Sequence, residues 1–147
     1  MAKYKPVSLT RSVEDILSNA ASELQTVAEE LAEWRDAIGE RFSGTDKFSR
    51  ISEAADMLQQ AGDELDSIDV PEKYSSAQVT FIEMHARSRR QQRSRQVRAD
   101  DAVSSVRAVV DELQVDDMPD ELSDLIDELE NVLGNIEGGI DIPGMYG

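Results

Sequence analysis

Cysteine is absent from this chain of 147 residues, which excludes a disulfide scaffold, a thiol nucleophile and every thiolate metal site. A single histidine, His85, leaves no imidazole pair to share a metal or relay a proton. No phosphate-loop signature, G-x-G-x-x-G or H-E-x-x-H pattern occurs. Glu83 stands only two residues before His85, so the Glu-x-x-His pattern of di-metal bundles is missing too. These absences predict a non-enzymatic protein with no metal and no cofactor. Nor does the chain hold a run of about 18 apolar residues, so no membrane-spanning helix is predicted. Lys3 and Lys5 are not followed by an apolar signal-peptide core. The expected location is the cytoplasm, with a place in a virion also compatible.

What is abundant is negative charge. There are 31 acidic and 15 basic side chains, a formal charge of −16, which disfavours indiscriminate binding to nucleic acid. The charge is uneven along the chain. Residues 1–86 carry −9, residues 87–98 carry +6, and residues 99–147 carry −13. A basic band therefore sits inside an acidic chain.

Helical spacing dominates the apolar pattern. Val13, Leu17, Ala20, Leu24, Val27, Leu31, Trp34 and Ile38 alternate steps of four and three, the rhythm of a helix packed along a seam. Ser12 suits its N-cap and Gly44 its stop, which predicts a helix over 12–42. A second helix is predicted over 46–68, closed by Val70-Pro71. Gly62 lies on its seam, where it implies close approach of a neighbouring helix.

The third pattern runs through Ile82, His85, Arg89, Gln92, Gln96, Ala99, Val103, Val106, Val110 and Leu113, with no glycine or proline between residues 75 and 118. It predicts one helix over 76–114. A fourth is predicted over 118–136, with Leu122, Leu125, Leu129, Val132 and Ile136 as its stripe. The fold expected is all-α: an elongated antiparallel helical bundle or coiled coil of four helices, with the long third helix as spine. Residues 1–137 would form one domain and 138–147 a tail.

Four features are candidates for function. Arg87, Arg89, Arg90, Arg93, Arg95 and Arg98 would surround the third helix. They suit phosphate, an acidic partner, or the chain's own carboxylates on the first two helices, such as Glu30. The internal pairing is preferred here. His85, Arg89, Gln92 and Gln96 occupy seam positions where leucine is usual, a polar layer that would fix register. Asp117, Asp120, Glu121, Asp124, Asp127 and Glu128 fall within an arc of about 120° on the fourth helix. The tail brings Ile140, Ile142, Met145 and Tyr146, able to dock in a partner groove or on a sheet edge.

The leading expectation is an interaction or assembly protein that binds other protein chains, its own second copy included. The first alternative is a nucleic-acid or phosphate binder acting through residues 87–98. The second is an acidic mimic of DNA that blocks a nucleic-acid-binding protein, as viral and mobile-element accessory proteins can.

Overall fold

Two antiparallel strands, β1 (Tyr4–Ser12) and β2 (Gln78–Ala86), overturn the all-α expectation. In a computed structural model of the chain, the structure describes residues 4–38, 46–87 and 93–137. Beside the ribbon stand five helices: α1 (Val13–Ile38), α2 (Asp46–Asp66), α3 (Glu72–Ser75), α4 (Arg95–Leu113) and α5 (Asp120–Glu137).

The single helix predicted over 76–114 is thus two elements, a strand and a helix. The reason is visible in β2 itself. Val79-Thr80-Phe81-Ile82 is a β-branched and aromatic run that favours a pleated surface. Val79 and Phe81 point into the core, while Ile82, a seam residue under the helical reading, is 57% exposed on the other face. Leu9 pairs with Phe81 and Val7 with Glu83, which lays the half-buried side of β1 beside the buried side of β2. On the outer face the Thr10 and Thr80 hydroxyls are hydrogen-bonded at 2.8 Å. Met84 faces Pro6 across the ribbon, and its N–H donates instead to Asp101 Oδ2 of α4 at 3.0 Å. Proline has no N–H to contribute, so it sits where the ladder loses nothing by it.

The spine is α1 rather than the third predicted helix: it packs on both α2 and α4. Its start is fixed twice. Ser12 Oγ accepts from Asp15 N at 3.2 Å, and Val13 N donates to Ala77 O at 2.9 Å, tying the helix to the residue just before β2. Val13, Ile16, Leu17, Ala20, Leu24, Val27 and Leu31 are buried along one face. On α2, Gly62 meets that face closely. A Cβ there would lie 2.7 Å from Gln25 Cγ and 3.0 Å from Ala21 O. α4 begins where Ser94 Oγ accepts from Val97 N at 3.2 Å. One core cluster runs from Val13 to Ile136 and takes side chains from α1, α2, β2, α4 and α5. Among the described residues no helix is long and apolar enough to cross a membrane.

Candidate functional site

The start of α4 brings arginines against the acidic face of α1 and the inner side of β2. Arg98 is the centre of the arrangement. Its two terminal nitrogens donate to Glu30 Oε2 at 2.7 Å and Oε1 at 2.6 Å, a fork-to-fork pair. Its Nε lies 3.6 Å from Glu23 Oε1. Arg95 approaches the same Glu30 at 3.4 Å, and its guanidinium stands 5.2 Å from the centroid of the Trp34 ring. The hydrogen bonds from Arg98, with the charges of both arginines, hold the Glu30 carboxyl below the ordinary glutamate value despite partial burial. Arg98 is raised in turn by its bonds to Glu30.

A second pair joins α4 to the segment before it. Arg93 donates to Asp101 Oδ2 at 2.6 Å and lies 3.6 Å from Glu83 Oε1 on β2. Asp101 is only 9% exposed. Burial pushes its carboxyl above the ordinary aspartate value, against the opposing pull of the Met84 N–H and the Arg93 guanidinium. One carboxylate oxygen therefore serves both a strand edge and an arginine, coupling β2 to α4 electrostatically.

The predicted site residues fall in different places. Arg93, Arg95 and Arg98 meet the chain's own carboxylates, as described. Arg87 stands just past β2, where its Nε donates to Tyr4 O at 3.3 Å. Arg89, Arg90 and Gln92 lie outside the described residues. His85 is on a strand and Gln96 on a helix, so these two members of the predicted polar seam share no helical face. Nor does Arg87, just past β2, share a helix with Arg95 and Arg98. His85 Nε2 instead lies 3.0 Å from Glu83 Oε1, and Gln96 donates to Asp100 Oδ1 at 2.9 Å. Asp117, Asp120, Glu121, Asp124, Asp127 and Glu128 are all exposed. Among them Glu121 meets Lys73 Nζ at 3.0 Å, which raises the lysine above its ordinary value. Ile140, Ile142, Met145 and Tyr146 lie outside the described residues.

Sequence reasoning overlooked Glu23, Glu83 and Asp101 as arginine partners. Asp101 had a usable signal: at 100° per residue it borders the arc of Ala102, Ser105, Val109 and Leu113 that α4 buries. Glu83 has none under a helical reading, because only strand alternation turns it toward the core with Val79 and Phe81. Among the described residues no group of three histidines or carboxylates is placed to hold a metal ion. Comparison with protein-family models, with curated proteins and with solved structures finds no match to this chain.

Proposed function

We propose that this is a non-enzymatic interaction protein that docks a basic segment of a partner protein on the exposed face of α5. The observation that carries this reading is an imbalance in how the two charge features are used. Arg93, Arg95 and Arg98 are already engaged with Asp101, Glu30 and Glu23. By contrast, residues 111–137 hold eleven carboxylates and no lysine or arginine, and Asp120, Asp124, Asp127 and Glu128 are exposed. Asp120, Asp124, Asp127 and Glu128 face solvent, whose water and salt a cationic surface would displace. Such complementarity acts mainly on association rate and partner choice.

The same imbalance weighs against a nucleic-acid reading that uses Arg93, Arg95 and Arg98, since each of these must leave its carboxylate before it can grip a phosphate. A symmetric dimer through α5 would set like charges on like. Self-association would instead use the outer face of the ribbon around Ile82. The DNA-mimic reading is a special case of the α5 docking, in which the basic partner is itself a nucleic-acid-binding protein.

Affinity capture with the full chain tests the proposal, set against a variant carrying Asp120→Asn, Asp124→Asn, Asp127→Asn and Glu128→Gln. Capture of a basic protein by the wild type alone supports it. Release of that protein by DNA would identify the mimic. Equal capture by both chains contradicts it.

A further inference from the structure

A groove of about 450 Å³ opens between the start of α1, the end of α2 and α3. Glu14, Asp66, Asp69 and Glu72 line it, and among the described residues no lysine or arginine does. All four are exposed, and none makes a hydrogen bond or ion pair through its carboxylate among the described residues. The end of α2 strengthens the negative potential. That helix stops at Asp66 with no basic residue in its last turn, so the negative end of its dipole adds to the same side.

The groove is not only polar. Ile68 and Val70 lie in its wall half-buried, packed on the core from one side and open to the groove from the other. A bare cation would meet the carboxylates and leave this apolar wall in water. An apolar side chain alone would cover the wall and desolvate the carboxylates without compensation. A segment with cations on either side of an apolar residue satisfies both. At roughly 30 Å³ for each water-sized atom, the space takes about fifteen heavy atoms, close to one leucine and two lysine side chains.

The groove is continuous with the acidic face of α5. Glu72 also lines a more open hollow with Pro71, Lys73 and Glu121, where Lys73 Nζ meets Glu121 at 3.0 Å. Glu121 shares the arc of Asp120, Asp124 and Glu128 on α5. We infer that the groove is the anchoring end of the α5 docking surface. It takes a leucine-sized side chain of the partner's basic segment against Ile68 and Val70, while flanking lysines or arginines meet Glu14, Asp66, Asp69 and Glu72. This rests on the docking proposed for α5 and gives the partner segment a character: basic residues around one branched apolar residue.

Two short labelled peptides are titrated into the full chain, one of lysines around a single leucine and one with serine in place of that leucine. Binding is read by fluorescence anisotropy and by backbone amide shifts. The leucine peptide should bind about tenfold more tightly, the effect of burying one leucine side chain, with shifts at residues 14–18 and 65–75 as well as on α5. Ile68→Ala should remove most of that advantage. Glu14→Gln with Asp69→Asn should weaken both peptides about fivefold. Glu29→Gln with Asp56→Asn, equally exposed elsewhere, should leave them unchanged. Equal binding of the two peptides overturns the inference, as does a leucine advantage that survives Ile68→Ala or binding indifferent to Glu14→Gln with Asp69→Asn. If such binding is still lost on neutralising Asp120, Asp124, Asp127 and Glu128, the α5 docking stands without the groove. Leucine-dependent binding that the groove variants weaken and the α5 variant does not would support the groove and overturn the α5 docking. Absence of binding by either peptide overturns both.

Discussion

Arg98 holds Glu30 through two hydrogen bonds of 2.7 and 2.6 Å, fastening α4 across to α1 over 68 positions of sequence. The pair is only partly buried, so its value lies in geometry more than in raw Coulomb energy. Arg98→Gln should destabilise the fold by about 1–3 kcal/mol in urea unfolding, because it leaves Glu30 short of its two charged donors and takes a positive charge from beside Glu23. Glu30→Gln should cost less, since an amide oxygen still accepts from Arg98. The double variant should lose less than the sum of the two, the sign of a direct pairing.

The same contact has a pH signature. The Glu30 carboxyl is held below its ordinary value of 4.5, so its contribution is fully present above that pH and is lost as the pH falls through the folded-state value. Asp101 acts with the opposite sign. Its carboxyl is raised above 3.8 by burial, so keeping it ionised costs stability above the folded-state value, and acid relieves that cost. Urea midpoints measured from pH 6 down to pH 3 should therefore fall less steeply in Glu30→Gln than in the wild type. In Asp101→Asn they should fall more steeply.

Two glycines separate packing from propensity. A methyl at Gly62 would press on Ala21 O of the facing helix at 3.0 Å, and backbone cannot give way as the Gln25 side chain can. Gly62→Ala should lower the melting temperature, with an overpacking cost of about 1–3 kcal/mol exceeding the helix-propensity gain of about 1 kcal/mol. At Gly134 in α5 an added Cβ meets nothing within 4 Å. Gly134→Ala should therefore stabilise, by about 0.5–1 kcal/mol.

The ribbon can be told from a helix by two adjacent residues. Phe81 is 8% exposed and Ile82 is 57% exposed. Phe81→Ala should cost about 3–5 kcal/mol, and Ile82→Ala should stay within about 0.5 kcal/mol. A helix over this segment with Ile82 on its seam would make Ile82→Ala a core deletion, which chemical unfolding of the two variants would reveal.

These neighbours also show where the sequence was readable. The rhythm from Val13 to Ile38 is carried by apolar side chains at every step, and α1 follows it. In the third pattern the apolar signal stops at Ile82 and resumes at Ala99. The rhythm between them rested on His85, Arg89, Gln92 and Gln96, which have no stake in a buried stripe. The lack of glycine and proline permitted a helix there without requiring one. What decided β2 was β1, whose residues pair with it across 66 to 82 positions of sequence, a distance that local spacing cannot reveal. The preference for internal pairing named Glu30 among the available acids. The pairing of Arg93 with Glu83 and Asp101 depends on the strand and so was hidden with it.

If the proposed docking holds, the acidic face of α5, and not the arginine segment, is what this protein offers to other molecules. Fluorescence anisotropy at about 50 mM salt, where phosphate contacts are strong, tests it with two probes: a labelled lysine- and arginine-rich peptide and a labelled DNA duplex. The peptide should bind saturably and the duplex not at all. The peptide should bind at least tenfold more weakly when Asp120, Asp124, Asp127 and Glu128 are neutralised, and nearly unchanged when the equally exposed Glu29, Glu33, Glu53 and Asp56 are neutralised instead. Duplex binding that falls steeply with salt and disappears in Arg93→Gln and Arg98→Gln would contradict it.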